Sequence, residues 1–480
     1  MNSETNRTRT VLVQFKTDND ETIGAPFDVP IDISADKLQL ICDTFQQTEE
    51  SFRQPYLFFI QDTEIKTTLA DCIDQFDGDQ IQLEKCVEIV CAAQALFHVE
   101  SVTRCSSSLA GHSDAIVSVA FSPDGSSLAT GSGDTTVRFW DVLTETPFRQ
   151  CQSHKHWVLA IAWSPDCVRL ASADKIGAIY VWNTKTGEQI GGCLRGHKQW
   201  INGLAWEPCH SNIECRRLAS ASKDTSIRIW DVILGQCLYT LSGHTQSVSS
   251  IKWGGTGLIY SGSHDRTIKV WKAENGILCR TLSGHGHWVN TLALSTEYIM
   301  RIGFYDPTNQ QKLNASSSQE LQEKIQKRYE QIRLQHERLV SGSDDFTLFL
   351  WNPETGKKPI CRMTGHQQLI NDVKFSPDGR LIASASFDKS IKLWNGFTGK
   401  FLTSLRGHVQ AVYQIAWSAD NRLLASGSAD STLKIWNIKQ AKLLHDLPGH
   451  SDEVFALDWS PDGLRVASGG KDRILKIWRR

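Results

Sequence analysis

Eight short apolar segments in this 480-residue chain end in Trp, each preceded at a set distance by a Gly-His or, once, a Ser-His pair. The histidines are His112, His154, His197, His244, His285, His366, His408 and His450; the tryptophans are Trp140, Trp182, Trp230, Trp271, Trp351, Trp394, Trp436 and Trp478. Five of the eight pairs lie 28 residues apart, and most units repeat every 41 to 43 residues. A unit of this size cannot bury its apolar face alone and must stack on its neighbours. With a Trp-Asp or Trp-Asn ending, the period specifies four-stranded blades around a central axis.

Residues 407–436 show how one unit is read. After the Gly407-His408 turn, Val412–Trp417 and Leu423–Ser428 alternate as strands around the turn at Asp420-Asn421. Asp430-Ser431 turns into Thr432–Trp436, and Lys442–Leu447 supplies a fourth strand. β-Branched and aromatic runs punctuated by Gly, Asp and Asn read as strands and hairpins.

The recurring polar residues have a structural task. An Asp stands six residues before the repeat Trp in seven units, at Asp134, Asp224, Asp265, Asp345, Asp388, Asp430 and Asp472. In WD40 propellers, which this array resembles, the His, this Asp, a strand Ser or Thr and the indole form a buried hydrogen-bond chain. The sets His112, Asp134, Trp140 and His408, Asp430, Trp436 are typical. Buried polar groups need partners, and seven copies of one dyad on one scaffold mark a tie within each blade rather than catalysis. In the second unit Ile176 replaces the Asp and Ser153 the Gly, so that blade is expected to be the least well tied. A second aromatic set, Phe121, Trp163, Trp206, Trp253, Phe375, Trp417 and Trp459, is assigned to packing between blades.

The eighth unit stops two residues after Trp478, with only three strands. The alternating segment Phe97–Thr103 lacks another partner, so residues 97–106 are expected to supply the missing outer strand and remove the open edges. In unit five, His285 and Trp351 are 66 residues apart. The added segment, 297–338, reads as a loop followed by an amphipathic helix projecting from the propeller, with Leu321, Ile325, Tyr329 and Ile332 at helical spacing. An inert insertion is the alternative to a functional one.

Residues 10–96, after a flexible stretch at 1–9, contain no repeat motif. Val11–Lys16 and Ala25–Val29 read as strands, Ser34 caps a helix through Gln46, and Tyr56–Ile60 and Val87–Cys91 are further strands. This order resembles ubiquitin and its β-grasp relatives. The expected fold is therefore an all-β eight-bladed WD40 propeller over residues 97–480, preceded by a small α+β ubiquitin-like domain. Asp62 and Glu64 follow the third main strand of that domain. A carboxylate at a strand end can complete the shell of a partner's Mg²⁺, which prefers oxygen ligands and leaves positions open; a solvated turn is the other reading.

Charge is unevenly distributed. Residues 1–97 carry 7 Lys+Arg against 18 Asp+Glu, a net of −11; the rest carry 44 against 35, a net of +9. An acidic module thus precedes a mildly basic array, which bears on partners rather than on fold. No apolar run approaches the ~20 residues of a membrane span. The 13 cysteines form no C-x-x-C pair and fit a reducing compartment. Cys209, His210 and Cys215 are the only local cluster and read as an irregular loop.

Trp157, Trp200 and Trp288 each lie three residues after a repeat His, where other units hold Ala115, Ser247, Leu369, Ala411 and Glu453. Packing therefore does not demand an indole there. Trp dominates many binding surfaces, so these three are partner-binding candidates; packing between blades is the competing explanation.

The combination of an N-terminal ubiquitin-like domain, eight WD repeats and a long insertion in the fifth resembles the Notchless family of ribosome-assembly factors. So do the stretches Gly286-His287-Trp288-Val289-Asn290-Thr291, Ser341–Leu348 and Leu447-Pro448-Gly449-His450. The resemblance implies a nuclear and nucleolar factor on the precursor of the large ribosomal subunit, with no cofactor of its own. It implies that the metal-dependent adhesion domain of the AAA ATPase midasin grasps the ubiquitin-like domain, and that ATP-driven force remodels the particle and releases factors. The family's metal-completing carboxylate corresponds to Glu64, with Asp62 a rival because side chains alternate with period two; the Mg²⁺ belongs to the partner. The family's name also implies a link to the Notch intracellular region. Neither a membrane nor a small-molecule substrate is expected. The alternative is a substrate receptor of a ubiquitin ligase. Enzymatic function lacks support, since there is neither a G-x-x-x-x-G-K-[ST] loop nor a nucleophile motif.

Overall fold

The computed structural model describes residues 10–17, 22–46, 56–60, 63–65, 68–73, 86–93, 99–306, 311–312, 318–333 and 336–480. The chain divides into two compact units, Met1–His98 and Val99–Arg480.

In the first unit, strands β1 (Thr10–Thr17), β2 (Thr22–Pro30), β3 (Tyr56–Ile60), β4 (Thr63–Glu64) and β5 (Val87–Ala93) form one sheet in the order β2-β1-β5-β3-β4. The central pair β1 and β5 is parallel and the other pairings are antiparallel. Helix α1 (Ala35–Gln46) buries Leu38 and Cys42 among Val13, Phe15, Phe58 and Ile89 of the sheet. The short helix α2 (Leu69–Ile73) adds Leu69, Cys72 and Ile73 to the same core. A helix across one face of a mixed sheet is the β-grasp arrangement. It arises here because alternate strand residues and the i, i+4 pair of α1 are apolar.

The second unit is a ring of eight antiparallel sheets. Seven have four strands. Blade two has three, Val158–Trp163, Arg169–Asp174 and Ile179–Asn183, with only isolated bridges to Gln189 and Leu194 where a fourth would lie. Blade eight is completed by β6 (Arg104–Ala110), which pairs antiparallel with Ile474–Arg479. The N-terminal closing strand is therefore displaced from the expected 97–106. Residues 99–103 instead form a strap. Val99 and Val102 are buried, and the Val99 N–H donates to Asp420 of blade seven at 2.9 Å. The apolar alternation of 97–103 reflects burial of a strap, which the same pattern cannot distinguish from a strand.

Every blade carries the tie. In blade one His112 Nδ1–H donates to Asp134 at 2.8 Å, Thr130 Oγ1 donates to His112 Nε2 at 2.8 Å, and Trp140 Nε1–H donates to Thr130 at 2.9 Å. The direction follows because a carboxylate only accepts and an indole only donates. Blade seven repeats it through His408, Asp430, Ser426 and Trp436. Blade two is tied as well, through a different carboxylate, and its His–Asp contact is the longest of the eight. His154 meets Asp174 at 3.0 Å and Ser172 at 2.7 Å, and Trp182 meets Ser172 at 2.7 Å. Asp174 lies two residues before Ile176, and its other oxygen also accepts from the Ile176, Gly177 and Ala178 amides. A shifted carboxylate thus reaches the same imidazole. The second aromatic set also links blades by hydrogen bonds. Trp163 donates to Ala120 O and Trp206 to Ala162 O, each at 2.9 Å, across to the preceding blade.

The two described helices of the blade-five insertion pack against the propeller rather than projecting from it. The insertion's first part, expected as loop, contains helix α3 (Glu297–Ile302), with Ile299, Met300 and Ile302 buried. Glu297 pairs with Lys252 of blade four and, at 3.7 Å, with Lys374 of blade six. Arg301 grips Asp458 of blade eight and donates to Phe121 O of blade one. A helix touching the innermost strands of four blades on different sides of the ring must lie across the central channel. Burial alone would raise the Glu297 carboxyl; Lys252 and Lys374 hold it down to about 2. Gly303 has φ 50°, and a Cβ there would meet Pro165 O at 2.8 Å.

Helix α4 (Ser318–Arg333) lies against blades three and four. Tyr329 stacks on His210 at 4.3 Å, Gln322 donates to His210 O at 2.8 Å, and His210 Nε2–H donates to Gly255 O at 2.8 Å. Cys209 and Cys215 are buried with Phe304 and Ile325. The local Cys-His cluster is therefore the seat of the insertion. Where the insertion rejoins the blade, Glu337 is fully buried, accepting from Thr296, Tyr260 and the Gly255 amide. Burial pushes its carboxyl up.

Candidate functional site

On the face opposite α3, each innermost strand is entered from its His turn. Main-chain bonds join this entry to the turn after the second strand: the Lys175, Lys223 and Asp344 amides donate to the carbonyls of Trp157, Trp200 and Trp288. The residue next to each blade's tie is thereby set beside the residue three after its His, and neighbouring blades bring successive pairs side by side.

The result is a ladder of rings and polar groups in two contact groups along blades two to five. Lys175 Nζ lies 5.1 Å from the Trp157 ring and 4.3 Å from the Trp200 ring, so one ammonium serves two blades. Lys223 Nζ lies 4.5 Å over Trp200. Burial lowers the His264 pKa, against the opposing pull of the Asp344 carboxylate. His264 in turn stacks on Trp288 at 4.4 Å with the rings 9° from parallel. Trp157, Trp200 and Trp288 remain 41%, 39% and 41% exposed. Trp157 and Trp200 are thus brought together by Lys175, and Trp288 of blade five is joined to blade four through His264. An indole buried between blades would lose this exposure.

Lys155 and Lys198, beside the His turns of blades two and three, are exposed, and Lys175 is half-buried. The nearby carboxylates are engaged: Asp174 with His154, Asp224 with His197, and Asp344 with Asn290 at 2.6 Å. Blades two and three therefore present cations beside the rings, with the ionised Asp174 and Asp224 drawn into the ties. The sequence reading named the three indoles but missed Lys175, Lys223 and His264. The available signal was their position at the turn after the second strand in three consecutive units.

The other candidates lie in the N-terminal unit. Glu64 is in the two-residue strand β4, paired with Phe59, rather than in a loop. β4 is last in the order of its sheet. Asp62 lies outside the described residues. Among the described residues, no group of three or more His, Cys, Asp or Glu could hold a metal ion, and no helix is long and apolar enough to cross a membrane.

Comparison with known proteins adds the family context. Residues 11–73 match the NLE (NUC135) domain. Residues 103–141, 145–183, 188–231, 235–272, 357–395, 399–437 and 441–479 match the WD domain, G-beta repeat; the unit carrying the insertion is not among these segments. The chain is 53% identical to Protein Notchless of Drosophila melanogaster over 375 residues, 78% of this chain and 76% of that one. It is 51% identical to the Notchless protein homolog of Arabidopsis thaliana over 404 residues, 84% of each. It is 46% identical to Ribosome assembly protein 4 of Saccharomyces cerevisiae over 414 residues, 82% of this chain and 79% of that one. Among solved structures, the computationally designed Ika8 protein superposes with a TM-score of 0.62 at 28% identity, covering 78% of this chain and 100% of that one.

Proposed function

The chain belongs to the Notchless family, and from that premise we propose that it is a non-enzymatic assembly factor of the large ribosomal subunit, acting in the nucleus and nucleolus. The observation that carries the reading is the joint occurrence, on one chain, of the NLE module and the WD propeller at 46% identity to a named ribosome assembly protein. The propeller docks on the pre-ribosomal particle, and its uninterrupted ring supplies a rigid platform. The N-terminal unit is a handle for a midasin-like AAA ATPase, whose adhesion domain holds a Mg²⁺. Glu64 completes that ion's shell in trans, with Asp62 as rival. Its place on an edge strand supports this, because an edge leaves one side of the sheet open to a partner. A link to the Notch intracellular region is carried by the relatives' names and by no feature of this chain.

The test is sedimentation of the tagged full chain with nuclear extract. Comigration with particles containing precursor large-subunit RNA is expected. Comigration with a ubiquitin ligase and absence from those particles would replace this reading with the substrate-receptor alternative.

A further inference from the structure

The aromatic–cationic ladder has a chemistry more specific than that of a general docking face. Its six members, Trp157, Lys175, Trp200, Lys223, His264 and Trp288, set three indoles, two ammonium groups and an imidazole along four blades. We propose that this rim binds single-stranded RNA, with bases stacking on the indoles and phosphates on the lysines. The proposal rests on the ribosome-assembly reading for its biological setting but stands on the geometry for its chemistry.

Three observations favour this occupant. First, single-stranded nucleic acid presents a π-face and a negative charge at every step, and its binding proteins combine aromatic platforms with a basic groove. The ladder offers both side by side. Second, the ammonium groups are pre-placed: Lys175 is held between two rings and Lys223 over one, so little freedom is lost when a phosphate arrives. Third, further cations border the rings. Lys155 and Lys198 extend the cationic surface, while the Asp174 and Asp224 carboxylates are withdrawn into the ties of their blades. Bases in a duplex are already stacked on one another and would leave the indoles without a role. An acidic protein segment would use the lysines but supplies no ring at each step.

The experiment measures fluorescence anisotropy of the full chain with fluorescein-labelled oligouridine about 12 nucleotides long, within the range such surfaces span. Binding that weakens steeply with added KCl is expected. Trp157→Ala and Trp200→Ala should each weaken it about ten-fold, with unchanged thermal melting. Trp200→Phe should restore most of the loss, which a merely folded surface would not require. Lys175→Gln with Lys223→Gln should lower the slope of log affinity against log salt by about 1.4, the share of two phosphates. Absence of oligouridine binding at low salt, or binding indifferent to the indoles, overturns the proposal. So does equal, indole-dependent competition by polyglutamate, which would identify an acidic protein partner. If the wild-type chain comigrates with pre-ribosomal particles yet ignores oligouridine, this inference fails and the assembly reading stands. If it binds oligouridine through the indoles but does not comigrate, the assembly reading fails and this one stands.

Discussion

Arg301 of blade five's insertion donates through both terminal nitrogens to the two carboxylate oxygens of Asp458 in blade eight, with Nη1 at 2.9 Å. The pair spans the channel, so two blades separated by 157 residues of chain share one ionic contact. Arg301→Met should remove it while keeping the side-chain volume. Asp458 would still accept from the Phe121 and Trp459 amides, which limits the loss. A decrease of roughly 1–3 kcal/mol in unfolding free energy is expected, measured by urea denaturation. A double-mutant cycle with Asp458→Asn should show coupling; additive losses would mean that the contact contributes nothing as a pair.

The blade-two tie gives a sharper test. Asp174→Ala should destabilise the propeller about as much as Asp430→Ala, by roughly 1–3 kcal/mol, because each removes the acceptor of a buried imidazole. A blade that lacked a tie would tolerate Asp174→Ala without a measurable change in melting temperature.

The same ties set the acid limit of the fold. Burial alone would raise each tie carboxyl. The His and hydroxyl bonds overcome it and hold Asp134, Asp224, Asp265, Asp345, Asp388 and Asp430 well below the usual carboxylate range; Asp174 and Asp472 are lowered too. A depressed folded pKa contributes stability present above the unfolded value of about 3.9 and lost as pH falls through the folded one. Urea midpoints should therefore depend little on these groups from pH 7 to about 5 and fall progressively below about 4. Asp430→Asn should make that fall shallower; an unchanged slope would show that the tie carboxylates do not govern acid unfolding.

Ring closure can be tested by truncation. A chain starting at Val99 retains the strap and β6 and should melt as a single propeller. A chain starting at Gly111 lacks both, exposes the edge at Ile474–Arg479, and should aggregate or melt well below the longer one. Equal melting temperatures would show that the edge needs no partner.

For the N-terminal handle, Glu64→Gln should abolish Mg²⁺-dependent binding to the adhesion domain without changing the fold of the unit. Glu64→Asp should also fail, since it shortens the reach by about 1.5 Å against metal–oxygen distances near 2.1 Å. EDTA-insensitive binding by Glu64→Gln would remove the metal from the account, and a defect confined to Asp62→Asn would transfer the role.

The blades and seven of their ties were readable because a repeated unit states its pattern eight times, and the need for an N-terminal closing strand followed from the three-stranded last unit, although its residues are 104–110 rather than 97–106. What escaped was whatever one unit does alone. Asp174 was passed over because it lies two residues from the repeat position, although its carboxylate reaches His154. Helix α3 is six residues long, and its partners Lys252, Lys374 and Asp458 are distant in sequence, so nothing local marks it as a channel-crossing element. The indoles at 157, 200 and 288 were visible one at a time. Their connection through Lys175, Lys223 and His264 depends on adjacency between blades, which sequence spacing does not encode.

The closing strand has a mechanical consequence. Tension applied to the chain ahead of Val99 enters the propeller at the strap, where two buried valines and the Asp420 bond bear it first. Beyond them it reaches Arg104, paired with Arg479 at one end of β6. The N-terminal module is thus tethered to the one seam where the ring is held without a covalent join between successive strands.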